Sequence, residues 1–135
     1  MPFKILIVDD SALVRRALRL CIETSGDCDV CGEAENGKIA VERVEELHPD
    51  IVILDLQMPV MNGLEAAKEI SRIAPGSALV MLTMHSYATL ADDARAAGIM
   101  EVLSKTDAVP NLLLDTIRRL CASASTGFVT QSLTA

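Results

Sequence analysis

Tryptophan is absent, and the 135 residues hold only one tyrosine and two phenylalanines. A surface that stacks single-stranded bases needs aromatic platforms, so that class of ligand is disfavoured. Basic residues are few: 12 Lys and Arg face 19 Asp and Glu, giving a net charge of −7 and a pI of about 4.7. Displacing counterions from a duplex needs the opposite balance, so direct nucleic-acid binding by this segment is not expected. Long apolar runs are missing as well. The first, Ile5–Val8, meets Asp9 and Asp10 after four residues, too short for a signal-peptide core, and no later run approaches membrane-spanning length. A cytoplasmic protein is expected, with its four cysteines reduced. The lone Cys28-x-x-Cys31 lacks the second ligand pair of a structural zinc site and falls in a strand-like stretch, not at a helix start. Buried or half-buried thiols are the better reading, with a redox pair as the alternative.

What the chain does have is aliphatic bulk. Half of its residues are apolar, enough for one domain with a real core. Ile5–Val8, Ile51–Leu54 and Ala78–Leu82 are short continuous runs that each end at a polar residue, and Val30–Ala34 and Met100–Ser104 are weaker runs of the same kind. Strands covered on both faces read this way in parallel sheets. Helical periodicity fills the gaps. Between Ser11 and Thr24, Val14, Ala17, Leu18, Cys21 and Ile22 share a face, with Ser11 or Asp10 as the cap. Lys38–Leu47 and Leu64–Ile73 each follow an Asn-Gly pair, Tyr87–Ala97 stops at Gly98, and Pro110–Cys121 opens on a proline. Strict strand–helix alternation predicts an α/β domain with a mostly parallel sheet and right-handed crossovers. Residues 1–122 form that domain. Residues 123–135, small and polar, read as a linker or a frayed tail.

The informative polar residues recur at one place in each unit. Asp9 and Asp10 end the first strand, Asp55 the third, Thr83 the fourth and Lys105 the fifth. A parallel sheet gathers its strand C-termini at one edge, where open α/β sheets bind ligands. Three clustered carboxylates call for a cation or a proton, and hard oxygen ligands suit Mg²⁺. A lysine and a hydroxyl facing them suit an anion with several oxygens. That layout serves attack by a carboxylate on phosphorus, giving an aspartyl phosphate. Taken singly, each residue has a plainer explanation: a helix cap for Asp9 or Asp10, a turn for Asp55, a strand residue in Thr83 and a solvated charge in Lys105. Their joint placement favours one site.

Ile5-Leu-Ile-Val-Asp9-Asp10-Ser, Asp50-Ile-Val-Ile-Leu-Asp55-Leu-Gln-Met-Pro59-Val-Met-Asn-Gly63, Val80-Met-Leu-Thr83 and Leu103-Ser-Lys105 together resemble the successive signatures of the response-regulator receiver family. The resemblance covers about Lys4 to Cys121 and, in Gly32-Glu-Ala-Glu-Asn-Gly37 and Leu82-Thr-Met-His85, is greatest to its NarL/LuxR branch. It implies a flavodoxin-like (CheY-like) doubly wound sheet of five parallel strands in order 2-1-3-4-5, with helices on both faces. It implies Asp55 as phosphoacceptor. Asp10 and Asp55 would be Mg²⁺ ligands, with Asp9 binding directly or through water and the Gln57 backbone carbonyl completing the set. Thr83 and Lys105 would engage the phosphoryl oxygens, and Pro59 and Gly63 would shape the loop after Asp55. His85 and the Gln57 side chain are candidate modulators of hydrolysis, a solvent-facing loop histidine being an equal reading of His85, and His48 reads as loop punctuation.

The implied partner is a sensor histidine kinase, docking near Arg15, Arg16 and Arg19 unless these form a plain solvated face. Output would run through a C-terminal DNA-binding domain outside this chain, through homodimerisation, or through a stand-alone receiver. The chain would catalyse only its own phosphorylation and dephosphorylation. A Mg²⁺-dependent small-molecule phosphatase would need a cap domain. A nucleotide or flavin module would need a Gly-rich loop where Asp9-Asp10-Ser11 stands. A degenerate receiver would lack one of the acidic or lysine residues, and all are present. Two positions depart from the common pattern: Val102 replaces a frequent aromatic, and Thr106 replaces a frequent proline.

Overall fold

Uninterrupted aliphatic runs form the middle of the sheet. The computed structural model describes residues 3–26, 28–84, 90–105 and 112–122. Its strands are β1 (Phe3–Val8), β2 (Cys28–Ala34), β3 (Ile51–Asp55), β4 (Ala78–Thr83) and β5 (Ile99–Ser104). All pair in parallel, in the order β2-β1-β3-β4-β5. The expected strand order is therefore found. Each strand extends one or two residues beyond its apolar run. This makes Asp55 and Thr83 the last residues of their strands.

Alternation along the strands divides the core into two layers. Ile5, Ile7, Ile51, Ile53, Val80, Leu82 and Leu103 face α1 (Ala12–Ser25) and α5 (residues 112–122), meeting Leu18, Ile22, Leu113 and Ile117. Leu6, Val8, Val52, Leu54, Leu79 and Met81 face the other way. They meet α2 (Gly37–Leu47), α3 (Gly63–Ile73) and α4 (Ala91–Ala96) through Ala40, Val44, Ala66, Ala67, Ile70 and Ala94. Small alanines on this second side let the helices lie close to the sheet.

Helix ends follow local chemistry. Ser11, not Asp10, caps α1: its Oγ accepts from the Val14 N–H at 3.2 Å. Asn36 caps α2 through the Ile39 N–H at 2.9 Å, and Asn62 with Glu65 forms a reciprocal capping box on α3. His48 ends α2 in the left-handed region (φ 49°), which bears out its reading as punctuation. Gly98 follows α4 with φ 91°. The expected helix starts at Tyr87 and Pro110 lie outside the described residues, as does the tail 123–135.

The two cysteines of the C-x-x-C stretch sit in different layers, Cys28 under α1 and α5 and Cys31 among the residues packed under α2 and α3. The β1–β2 register skips Cys31, whose thiol donates to the Ile5 carbonyl at 3.5 Å. Burial pushes the Cys31 thiol above its ordinary pKa. Two thiols on opposite faces of a sheet are not a redox pair. Among the described residues no helix is long and apolar enough to cross a membrane.

Candidate functional site

The order 2-1-3 places the switch in winding direction between β1 and β3, and the crevice there lies beyond their C-terminal ends. Val8 pairs with Leu54, Asp55 with Leu82, and Thr83 with Ser104, so the strand ends are nearly level. Asp9, Asp55, Thr83 and Lys105 therefore come to one edge, as the spacing required. The carboxylates of Asp9, Asp10 and Asp55 each offer an oxygen within 4.8 Å of the others.

Lys105 ties the cluster together. Its backbone N–H donates to the Thr83 carbonyl at 2.9 Å, which anchors the residue past the end of β5. Its Nζ reaches Asp9 Oδ2 at 2.7 Å and Asp55 Oδ1 at 3.2 Å. These side chains are only 16 %, 3 % and 12 % exposed for Lys105, Asp9 and Asp55. Burial alone would discourage the ammonium, but Asp9 and Asp55 outweigh it and hold the Lys105 pKa above its usual value. The Asp55 carboxyl moves up as well. Burial is the main cause, with the Asp9 charge adding to it and Lys105 only partly offsetting it.

The three acids are held differently. Asp9 has its Oδ1 on the Ser11 N–H at 2.9 Å and its Oδ2 on Lys105, while its backbone N–H donates to the Ala34 carbonyl at 3.1 Å. Asp10 is exposed and Asp55 partly covered. An occupied inner acid, a partly covered one and an exposed one give a set of hard oxygens, the chemistry that suits Mg²⁺. Thr83 is fully buried at the end of β4. Gln57 is exposed on the loop after Asp55, and His85 lies outside the described residues.

That loop is shaped by close approach. The Gly63 N–H donates to the Leu56 carbonyl at 2.8 Å, and a Cβ at Gly63 would sit 2.2 Å from the Asp55 carbonyl oxygen. Gly63 is thus needed because backbone meets backbone there; a special dihedral is not the reason. Pro59, Val60 and Met61 form a three-residue turn closed by the Met61 N–H on the Pro59 carbonyl at 2.7 Å, with Val60 at φ 70°. Gly37 donates to the Met61 carbonyl at 3.0 Å, joining the start of α2 to the loop.

Arg15 and Arg19 are not a plain solvated face: both grip Glu33 near the end of β2, at 3.0 and 2.7 Å, while Arg16 is exposed. Arg15 also donates to the Asp9 backbone carbonyl at 2.6 Å. A sequence gives no signal for this contact, since it depends on how α1 rests on β2. Val102, in place of the frequent aromatic, packs against the core layer under α2, α3 and α4.

A doubly wound parallel sheet with acids and a lysine at its switch point has the makeup of a phosphotransfer site. The chain belongs to the response regulator receiver domain family, whose model matches residues 5–118. It is 40 % identical over 105 residues to the chemotaxis protein CheY of Thermotoga maritima, covering 78 % of this chain and 87 % of that protein. Its fold is similar to that of a LuxR-family two-component response regulator from Aurantimonas sp. SI85-9A1, with TM-score 0.85, 30 % identity and coverage of 91 % and 87 % of the two chains. It is also similar to a CheX–CheY–BeF₃–Mg²⁺ complex from Borrelia burgdorferi, with TM-score 0.80, 26 % identity and coverage of 87 % and 89 %. The chain spans between 20 % and 54 % of the length of other curated relatives it matches, with 32 % of a transcriptional regulatory protein of Bacillus subtilis among them. Receiver domains of this family act in two-component signalling and are in general signal transducers, not enzymes.

Proposed function

We propose that this receiver takes a phosphoryl group onto Asp55 from a sensor histidine kinase, in a Mg²⁺-dependent reaction, and passes the change to an output. The observation that carries this is the convergence of Lys105 Nζ on Asp9 and Asp55 beside the open Asp10 carboxylate. An Asp55 oxygen attacks phosphorus, the bond from phosphorus to the donor imidazole breaks, and the imidazole, already protonated on its other ring nitrogen, leaves as a neutral base. Lys105 exchanges its contact with Asp55 for the new phosphoryl oxygens, and its charge balances theirs. Asp9, Asp10, Asp55 and the Gln57 backbone carbonyl would hold a divalent ion, whose charge would help neutralise the transferring group. Thr83, the last residue of β4 next to β3, would bring its hydroxyl to the phosphoryl oxygens.

Exposed Leu13 and Leu20 give α1 an apolar stripe suited to helix docking by the kinase. Output through a DNA-binding domain outside this chain fits the LuxR-family likeness. The 87 % coverage of a chemotaxis protein favours a second reading, a stand-alone receiver acting by protein–protein contact or as a phosphorylated homodimer. The nucleic-acid contact would in either case not be made by this acidic segment, and a cytoplasmic location suits both.

Incubation with Mg²⁺ and acetyl phosphate, followed by intact-mass measurement, tests the central claim. One base-labile adduct of a single phosphoryl group is expected, lost with Asp55→Asn and with chelation of Mg²⁺. An equal adduct on Asp55→Asn would overturn it.

A further inference from the structure

We infer that Arg15 is a positioning residue for the metal-binding acids: it fixes the Asp9–Asp10 peptide from behind so that the two carboxylates are set before the cation arrives. The inference rests on the reading of Asp9, Asp10 and Asp55 as a Mg²⁺ site.

The geometry is specific. Three carboxylates within 4.8 Å, with Lys105 in contact with Asp9 and Asp55 alone among them, repel one another, and the segment bearing Asp9 and Asp10 lies between the end of β1 and the start of α1. Left to itself, such a connection relaxes by turning the more exposed acid, Asp10, away. Arg15 opposes that movement. Its Nη1 holds the Asp9 carbonyl at 2.6 Å, and that carbonyl belongs to the peptide whose other end carries Asp10. The arginine is itself fixed: Nε donates to Glu33 Oε1 at 3.0 Å, and its side chain is only 17 % exposed. The second Glu33 oxygen is taken by Arg19 at 2.7 Å, and Arg19 in turn meets Glu23 at 3.0 Å. Burial pushes the Glu33 carboxyl up, but the two arginines outweigh it and hold its pKa below the ordinary range, so it stays an anion. One planar guanidinium thus spans a backbone carbonyl on one side and a carboxylate on the other, which a lysine ammonium on a flexible stem does not reproduce.

The sign of the effect separates positioning from simple electrostatics. Arg15 is a cation near an acidic pocket. By charge alone, its removal tightens Mg²⁺ binding. If it positions the acids, removal weakens binding, as loss of a group that orients metal ligands commonly does by about ten-fold. The experiment is a calorimetric or NMR titration of Mg²⁺ into the purified chain, with folding checked by circular dichroism. Arg15→Ala is expected to bind Mg²⁺ about ten-fold more weakly than wild type, and Arg15→Lys several-fold more weakly, although it keeps the charge. Arg15→Ala combined with Glu33→Gln should bind no more weakly than Arg15→Ala alone. Arg16→Ala, at an exposed position of the same helix, should stay within about two-fold of wild type. Unchanged or tighter binding by folded Arg15→Ala, or wild-type binding by Arg15→Lys, overturns the inference while leaving the acidic site intact. If Arg15→Ala does not fold, the Lys variant decides. Absence of Mg²⁺ binding by the wild type overturns the functional reading, and the inference with it.

Discussion

At the scale of single residues, the site stores unfavourable energy that substitution should release. The folded Asp55 carboxyl keeps its proton to higher pH than it would in the unfolded chain, because burial and the Asp9 charge oppose ionisation more than Lys105 favours it. Its contribution to stability is therefore fully present below the ordinary carboxylate pKa and is lost as pH rises through the raised folded value. Asp55→Asn removes the charge and leaves Lys105 its contact with Asp9. Melting in chelator at pH 7 should show the Asn variant higher by about 2–5 °C, and the gap should close below about pH 4, where the wild-type carboxyl is itself neutral. Val60 is strained in its backbone. It is β-branched, exposed and at φ 70°, a combination that costs on the order of 1–3 kcal/mol. Val60→Asn should raise stability by about 1 kcal/mol in a urea titration, since almost no packing is lost.

At the scale of elements, the connection from β3 to α3 is set by how closely two backbones pass. A Cβ at position 63 would overlap the Asp55 carbonyl at 2.2 Å, and no flexible side chain is there to yield. Gly63→Ala should cost about 2 kcal/mol and lower the acetyl phosphate labelling rate more than Lys38→Ala, a substitution on the exposed side of α2. This loop also shows what a sequence reveals and what it hides. Asp55 and Thr83 could be placed at strand ends because a parallel sheet makes the end of each apolar run fall at the same edge. Asn36-Gly37 and Asn62-Gly63 could be read as helix starts because helical periodicity follows them. The reason for each glycine stayed hidden, since it depends on a carbonyl brought in by another element: Met61 for Gly37 and Asp55 for Gly63. The grip of Arg15 on Asp9 was hidden for the same cause. Its anchor, Glu33, lies 18 residues away on β2, and only the packing of α1 on that strand turns an apparently solvated arginine inward.

At the scale of the whole molecule, the acidic edge couples cation binding to stability. A ligand that binds only the folded chain adds about 2.7 kcal/mol at one hundred times its dissociation constant. Thermal melts should therefore rise with added Mg²⁺ in the wild type and stay nearly flat in Asp10→Asn; an equal rise in both would remove Asp10 from the ligand set. The contact between Lys105 and Asp9 joins residues 96 apart, nearly the full span of the domain. Closing so long a loop comes late in folding, after local helices and neighbouring strands have formed. Until β5 docks, the acids at the ends of β1 and β3 lack the Lys105 counter-charge, so under the proposed function a chain truncated before residue 105 should label on Asp55 far more slowly than the whole domain. On that reading, competence to take a phosphoryl group would mark that synthesis has passed residue 105.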